Sequence, residues 1–210
     1  MSDGIYSKLT GYHNRRSIRL PGYDYSQPGY YFVTICIHDR KQNLFGDVVG
    51  VEMLENEYGS IFRNELLTTG KMRPNVIIDT FVIMPNHVHG ILVIRDFPAV
   101  GIVIVGAAGS VAPTKKDDKN ELRQRPNGPS IGSLGAIIGQ YKSVISKRIN
   151  AMHQTPGKIR WQRDFYDRIG RNDNELFCIR QYISNNPMQW DKDTENPISK
   201  SPRHVAMPNP

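Results

Sequence analysis

The sequence contains only two cysteines, Cys36 and Cys178, among its 210 residues. Both lie in apolar patterns, which favours buried free thiols over a disulfide or a zinc cluster and fits a reducing compartment. No apolar run approaches the roughly 18 residues that a membrane helix needs, because glycines interrupt the longest candidate, residues 100–112. The first residues lack the charged-then-apolar layout of a signal peptide. We therefore expect a cytoplasmic protein with no membrane contact.

The chain has more basic residues than acidic residues, with 27 Lys and Arg against 20 Asp and Glu. Its formal net charge is +7, and a protein this basic often binds a polyanion, of which nucleic acid is the usual one. Charge that serves only solubility is the alternative. The hydrophobic content of 39% over 210 residues suits one compact domain with a sizeable core.

Hydrophobic patterning predicts strands in the first half of the chain. Residues 30–37 and 76–84 are rich in β-branched and aromatic side chains, and residues 87–94 form an apolar run after the turn at Pro85-Asn86. The last two of these strands are therefore expected to pair as a hairpin. Shorter extended segments are predicted at residues 44–49 and 160–169.

Apolar residues at helical spacing predict three helices. They cover residues 51–67, 133–152 and 172–185, and the last begins with Asn172 as N-cap and Glu175 three residues later, in a capping-box arrangement. Helices added to a small antiparallel sheet define an α+β fold of the ferredoxin-like kind, with the helices expected on one face of the sheet.

The rest of the chain lacks periodicity. We expect a basic N-terminal arm at residues 1–28, a single domain at residues 29–190, and a polar, proline-rich tail at residues 191–210. Glycines, prolines and a charged patch at about residues 97–130 predict an irregular insertion within that domain.

Two histidines two positions apart are the most informative feature of the sequence. His87 and His89 open a predicted strand, in which residues i and i+2 project from the same face. Two imidazoles held side by side on a rigid strand provide half of a metal site. The alternative is an incidental pair of polar residues at a sheet edge.

The last predicted helix carries three residues in one stripe beside its apolar face. Cys178, Tyr182 and Asn186 are spaced at i, i+4 and i+8. A tyrosine in this position usually packs with its hydroxyl in water, and an asparagine before Pro187 usually ends a helix. A phenol and an amide oxygen one turn apart can also serve a metal centre, one as nucleophile and the other as a third ligand.

Five segments in order resemble the single-tyrosine HUH transposases, in which two histidines flank one hydrophobic residue. The last segment also resembles the tyrosine, isoleucine, two residues, asparagine, proline signature of the REP-associated tyrosine transposases. The resemblance spans roughly residues 12–190 apart from the insertion, and the motifs in order make it far more specific than the histidine pair alone. The matching segments are residues 31–35 (YFVTI), 85–92 (PNHVHGIL), 140–143 (QYKS), 161–167 (WQRDFYD) and 182–187 (YISNNP).

The resemblance implies roles for individual residues. His87 and His89 would bind a divalent metal, and Tyr182 would be the catalytic nucleophile. Asn186 would be the third protein ligand, at a position where some relatives place a glutamine that reaches one methylene further. The family implies Mg²⁺ or Mn²⁺ as the cofactor, whereas ligand softness alone admits zinc or another transition metal as readily.

The implied activity is metal-dependent nicking and strand transfer of single-stranded DNA through a covalent 5′-phosphotyrosine, acting on repeat or hairpin DNA during transposition. Relatives work as monomers or homodimers, and such an enzyme would be associated with the nucleoid in the cytoplasm. One alternative is a domesticated protein that binds repeat DNA without turnover. Another is an RNA-binding module, which would need Tyr31 and Phe32 on an open sheet face to stack on bases.

Basic side chains outside the predicted core are the candidates for contacts with the DNA backbone. Phosphate contacts of this kind give affinity and a steep salt dependence without sequence choice. A solvated tail is the alternative for the basic residues of the N-terminal arm. The candidates are Arg15, Arg16 and Arg19 in the arm, and Lys142, Lys147 and Arg148 on the helix predicted at residues 133–152.

Two further residues are rival candidates for the site. Tyr141 is the rival nucleophile because it lies in one of the matching segments, but it also falls on the apolar stripe of its helix, so we expect it in the core. His38 follows the first strand and is able to approach a substrate there. A lone histidine at a strand end is more often incidental.

Overall fold

The computed structural model describes residues 22–96, 129–157 and 161–199, together with Leu20. Strands and helices within these residues follow the order that the hydrophobic pattern predicts, with three short elements added. The strands are β1 (Gly29–Cys36), β2 (Gly46–Val49), β3 (Glu52–Glu55), β4 (Val76–Ile83), β5 (His87–Ile94) and β6 (Tyr166–Gly170). The helices are α1 (Glu57–Leu67), α2 (Thr69–Met72), α3 (Leu134–Met152) and α4 (Asp173–Asn185), followed by a 3₁₀ helix at Pro187–Lys192.

Four of the strands form one antiparallel sheet. Their order across the sheet is β4–β5–β1–β6, and β1 pairs along its whole length with β5, so that Cys36 lies opposite His87. Helix α1 lies between β1 and β4 in the chain and α3 lies between β5 and β6, which is the ferredoxin-like arrangement. Strands β2 and β3 form a separate hairpin ahead of α1. The predicted α+β class is confirmed.

Helices cover both faces of this sheet. On one face, Ile137 and Tyr141 of α3 join Val33 of β1 in the larger core. On the other face, Ile179 of α4 joins Phe32 of β1 in a smaller core. The expectation that helices lie on one face alone is therefore wrong for α4. The physical reason is that consecutive residues of β1 and β5 are largely apolar and buried, so both faces of these strands require cover.

Helix α4 is anchored at its start by a buried carboxylate. Asn172 is the N-cap, and its side chain accepts a hydrogen bond from the backbone N–H of Glu175 at 2.9 Å. The Glu175 carboxylate, expected to bond back to Asn172, instead accepts from the backbone N–H of Arg171 and pairs at 2.6 Å with Arg168 of β6. These bonds fix the helix to an edge strand of the sheet.

The helix predicted at residues 51–67 is shorter than expected, because its first residues form β3. Gly50 adopts a left-handed conformation with φ of +65°, which turns the chain back from β2. Asn56 then caps α1 by accepting a hydrogen bond from the backbone N–H of Tyr58 at 2.9 Å. Local turn chemistry therefore overrides the helical spacing that runs through these residues.

The packed body extends further at both ends than the sequence pattern predicts. Tyr25, expected in the arm, belongs to the larger core, and its backbone carbonyl accepts from the N–H of Leu134 at 2.9 Å. Glu195 and Asn196, expected in the polar tail, are buried. Tyr25, Glu195 and Asn196 are therefore packed in the folded body, whereas Leu20 and Ile198 are exposed, and the predicted bounds of the arm and the tail stay a prediction.

Some predicted features lie outside the described residues. These are the candidates Arg15, Arg16 and Arg19 and most of the insertion, namely its residues 97–128. In the part of the chain that the structure describes, no helix is both long enough and apolar enough to cross a membrane.

Candidate active site

Strand β5 places the two histidines next to each other. His87 and His89 project from the same face, and their side chains are 0% and 2% exposed. The two Nε2 atoms are 3.0 Å apart. The predicted pairing of these imidazoles is therefore present, and it lies in the interior rather than at an exposed sheet edge.

Asn86 fixes the position of the proton on His87. Its side-chain nitrogen donates to the backbone carbonyls of Arg40 and Glu195, both at 2.7 Å, so its oxygen is the atom that faces Nδ1 of His87 at 2.8 Å. Because an amide oxygen only accepts, Nδ1 carries the proton. Nε2 of His87 keeps its lone pair, as a metal ligand requires. The sequence pattern indicates only a turn at Asn86.

Burial keeps both imidazoles neutral. Burial lowers the pKa of His87 to about 3, with a smaller contribution from the charge of Arg40. The pKa of His89 is also well below its ordinary value, because of burial and then the neighbouring His87. Nδ1 of His89 lies 2.8 Å from Oγ1 of Thr34, and its ring stacks on Phe32. The pair is held in the neutral form that binds metal ions.

Helix α4 brings Tyr182 to the histidine pair. The hydroxyl oxygen of Tyr182 lies 3.3 Å from Nε2 of His89, and the phenol ring packs edge-on against Phe32. Burial and then the charge of Asp193 raise the pKa of Tyr182, while a hydrogen bond with Asn186 opposes them. The phenol is therefore protonated at neutral pH, and a nearby cation is needed to favour tyrosinate.

Asn186 lies at the end of α4 with 3% of its surface exposed. Its side-chain oxygen has no hydrogen-bond partner among the described residues. A buried amide oxygen without a partner costs roughly 1–3 kcal/mol, so a cation at this atom would be favourable. The role of Asn186 as a third metal ligand stays a prediction.

A carboxylate that the sequence pattern does not single out completes the cluster. Oδ2 of Asp193 lies 3.8 Å from Nε2 of His87. The ligand atoms of Asp193, His87 and His89 all lie within 4.8 Å of one another. The other carboxylate oxygen of Asp193 accepts from the backbone N–H of Glu195 at 2.7 Å, and Trp190 of the preceding 3₁₀ helix packs against His87. Asp193 is thus a third candidate ligand from the segment expected to be a tail.

These side chains fit a divalent metal ion. Two neutral imidazole nitrogens and one carboxylate oxygen form a donor set that many divalent ions accept. Two ligands about 2.1 Å from one octahedral ion and at right angles are separated by roughly 3 Å, which matches the spacing of the two histidine nitrogens. The unpartnered oxygen of Asn186 is a further candidate donor.

A cavity of about 170 Å³ opens beside Tyr182 and His89. Thr34, Arg40 and Asp193 are among the residues that line it. Its volume admits a phosphodiester group but lies below the roughly 300 Å³ at which pockets for whole drug-sized ligands begin. The cavity is therefore suited to the reacting phosphate, with the rest of a nucleic-acid strand lying outside.

The rival candidates lie away from this cluster. Tyr141 is 2% exposed in the larger core, on the other face of the sheet, and its hydroxyl shares a hydrogen bond with Thr69. The expectation that Tyr141 is a core residue is confirmed. His38 is exposed beyond the end of β1 and lines a separate cavity with Tyr58.

The three basic candidates on α3 have different surroundings. The ammonium of Lys142 donates to the backbone carbonyls of Gln162 at 2.8 Å and Asp164 at 3.0 Å. Arg148 pairs with Glu65 at 3.1 Å. Lys147 is exposed. Lys142 therefore holds the segment before β6 in place, and a DNA contact for any of the three stays a prediction.

The described fold and cluster define a ferredoxin-like α+β protein that holds a tyrosine beside two histidines and a carboxylate. No family model matches the chain. An uncharacterized protein from Haemophilus influenzae strain Rd is 33% identical over 183 residues, which cover 87% of this chain and 93% of the relative. The chain belongs to the same family as this protein.

Two solved structures resemble the chain. A REP-associated tyrosine transposase bound to a REP hairpin has a TM-score of 0.46 at 18% identity, over 81% of this chain and 73% of that one. A protein from Deinococcus radiodurans R1 that is assigned as a transposase has a TM-score of 0.40 at 14% identity, over 80% of this chain and 95% of that one.

Proposed function

We propose that this chain is a metal-dependent nickase and strand transferase for single-stranded DNA, a tyrosine transposase of the HUH class that acts on repeat or hairpin DNA. The observation that carries the proposal is the distance of 3.3 Å between the hydroxyl oxygen of Tyr182 and Nε2 of His89 within one chain. The cluster combines a phenol, which can act as a nucleophile on phosphorus, with two neutral imidazoles and a carboxylate, which can hold a divalent ion beside the phosphate.

The metal would be held by side chains of the described cluster. His87, His89 and Asp193 would bind Mg²⁺ or Mn²⁺, and Asn186 would supply a further oxygen. The bound ion would neutralise charge that develops on the phosphate oxygens and favour the ionised phenol. Asn86 would keep the lone pair of His87 directed at the ion.

Tyr182 would act as the nucleophile in the first step. A bond forms between its phenol oxygen and the scissile phosphorus, and the bond from that phosphorus to the 3′ oxygen of the preceding nucleotide breaks. The phenolic proton ends on the departing 3′ oxygen, so the products are a 5′-phosphotyrosine and a free 3′-hydroxyl. Because one phosphoester replaces another, a different 3′-hydroxyl can reverse the step and join two strands.

Aromatic side chains would protect the covalent intermediate from water. Phe32 is 1% exposed and contacts the rings of both Tyr182 and Tyr166. Hydrolysis of the phosphotyrosine would waste the stored phosphoester bond, so a site that excludes water preserves strand transfer. The same packing holds the phenol ring against the histidine pair.

The assembly of the cluster from one chain supports catalysis by a single subunit. Tyr182, His87, His89 and Asp193 of one chain lie in one cluster. Both a monomer and a homodimer are compatible with a tyrosine that serves its own chain. An enzyme of this kind would work on DNA at the nucleoid.

The structure does not expose the two aromatic rings that the RNA-binding alternative needs for stacking on bases. Tyr31 is 0% exposed and Phe32 is 1% exposed, since helices cover both faces of the sheet. Neither ring is available to a nucleobase. The experiment must therefore distinguish two hypotheses. One is the enzyme, and the other is a protein that binds repeat DNA without turnover.

The experiment is a nicking assay with single-stranded hairpin oligonucleotides in Mn²⁺ or Mg²⁺, with REP-type hairpins as the first probes. We expect a label on the 3′ end of the DNA to migrate with the protein on a denaturing gel. A label on the 5′ end should be released on a shorter strand that ends in a 3′-hydroxyl. Hairpin binding without any cleavage in either metal would contradict the enzyme and support the binding protein.

A further inference from the structure

Arg40 lies in the cavity beside Tyr182 and has no role in the reaction described above. Among the described residues that line this cavity, it is the only one with a permanent positive charge. Its side chain is 37% exposed, so a ligand in the cavity can reach the guanidinium.

Arg40 is fixed at both its backbone and its side chain. Its backbone carbonyl accepts from Asn86, the same amide whose oxygen orients His87. Nη1 of Arg40 lies 2.9 Å from Oε2 of Glu195. When the amide oxygen of Gln162 faces the guanidinium, it accepts from Nε at 2.7 Å and from Nη2 at 3.0 Å. The guanidinium is therefore positioned before any substrate binds.

These contacts leave hydrogen-bond donors for a ligand. A guanidinium has five N–H groups. The two hydrogen bonds to Gln162 use one on Nε and one on Nη2, while Nη1 forms an ion pair with Glu195. With respect to the described residues, at least one N–H on Nη1 and one on Nη2 are left. Planar donors of this kind match the oxygens of a phosphate.

The charges of the cavity also favour a phosphate contact at Arg40. Three carboxylates, those of Asp164, Asp193 and Glu195, line the same cavity. They would repel a phosphodiester, and the repulsion would grow as negative charge develops on its non-bridging oxygens. A fixed cation close to the phosphate is therefore needed in addition to a metal ion.

We propose that Arg40 is a catalytic residue that binds a non-bridging oxygen of the scissile phosphodiester and stabilises the charge that develops there. The inference rests on the proposed function, because it requires attack by Tyr182 on DNA. Loss of one preorganised group of this kind commonly slows a reaction about 100- to 1,000-fold. The loss is expected in kcat rather than in hairpin affinity, since the charge is greatest in the transition state.

Methylphosphonate substrates test this proposal, because they replace one charged non-bridging oxygen with a neutral methyl group. Adduct formation in Mn²⁺ is timed for the wild type, Arg40→Ala and Arg40→Lys. One substrate is the unmodified REP-type hairpin, called the natural hairpin below. The other two are the diastereomers of the same hairpin that carry a methylphosphonate at the scissile position. Arg63→Ala is the matched control, because Arg63 also pairs with a carboxylate, that of Glu55, but lies outside the cavity.

Arg40→Ala is expected to slow the natural reaction about 100-fold or more, while Arg63→Ala leaves it unchanged. On the diastereomer that lacks the oxygen contacted by Arg40, Arg40→Ala should match the wild type within a few-fold. Arg40→Lys should retain an intermediate rate on the natural hairpin. A defect of equal size on the natural and both modified substrates, or no defect on the natural one, overturns the proposal.

A second variant controls for an effect of Arg40→Ala on folding, because this substitution removes the ion pair between Arg40 and Glu195. The double variant Arg40→Ala with Glu195→Gln also removes the carboxylate charge that Arg40 faces, and it should reproduce the same pattern of rates. Full activity of this double variant on the natural hairpin would also overturn the proposal. A wild-type protein that forms no adduct with the natural hairpin contradicts the proposed function itself, and this inference with it.

Discussion

Nε2 of His87 lies 3.0 Å from Nε2 of His89. Because Asn86 keeps the proton of His87 on Nδ1, the contact has two chemically distinct forms. Either Nε2–H of His89 donates to His87 and Nδ1 accepts from Thr34, or Nδ1–H donates to Thr34 and both Nε2 lone pairs face a shared cation. The metal-free and metal-bound sites would therefore differ in the tautomer of His89.

We expect the metal-free protein to lose stability in mild acid. The pKa of His87 is lowered from 6.5 to about 3, so between these values the unfolded chain binds the proton and the folded chain does not. Stability in a chelator should therefore fall as the pH drops below about 6.5, by up to about 1.4 kcal/mol per pH unit for each buried histidine. Urea unfolding at about pH 7, 6 and 5 measures this slope.

The double variant His87→Gln with His89→Gln is the control for this slope. It removes both titrating groups, so its stability should change less over the same pH range. An equally steep profile in the double variant would show that other groups cause the acid effect.

We expect Asp193→Asn to weaken the binding of Mn²⁺ alone, measured by calorimetry without DNA. Loss of a carboxylate ligand should lower the Mn²⁺ affinity by more than the roughly 10-fold that follows from loss of a hydrogen-bond partner outside the ligand set. Asp191→Asn is the matched control, because Asp191 is exposed in the same segment. Unchanged affinity in Asp193→Asn together with a loss in Asn186→Ala would assign the third ligand to Asn186 instead.

We expect Asn86→Ala to lower Mn²⁺ affinity about 10- to 100-fold although Asn86 never touches the ion. Without the acceptor at 2.8 Å, His87 loses the bond that holds its proton on Nδ1. Nitrogen NMR of the imidazole reports the tautomer directly and separates this effect from a general loss of fold. Asn43→Ala, which removes an exposed bond to Asp47, is the control. An Nε2–H tautomer of His87 in the metal-free wild type would contradict the account.

The parts of the site that rest on local periodicity were predictable from the sequence. Alternation along β5 puts His87 and His89 on one face, and the helical repeat of α4 places Tyr182 beside the apolar residues that seat it. The N-cap at Asn172 and the end of α4 at Asn185 follow from residue types alone. These features need no knowledge of distant contacts.

The acidic side of the site was not predictable in the same way. Residues after Pro187 have no apolar period and a polar composition, which is typical of a solvated tail. The side chain of Asp193 is 5% exposed because Trp190 packs on His87 and Glu195 pairs with Arg40, and both His87 and Arg40 are distant from this segment in sequence. The packing of α4 on the second face of the sheet was unpredictable for a similar reason. It depends on which apolar face of the sheet the other helices leave exposed.

The most direct test of the central claim is to locate the covalent bond between protein and DNA by mass spectrometry. Trypsin should release residues 181–192 of the wild-type adduct as one peptide, with the DNA remnant on Tyr182. Tyr182→Phe should bind the hairpin but form no adduct, whereas Tyr141→Phe should form it. DNA attached to Tyr141, or an adduct that persists in Tyr182→Phe, would contradict the account.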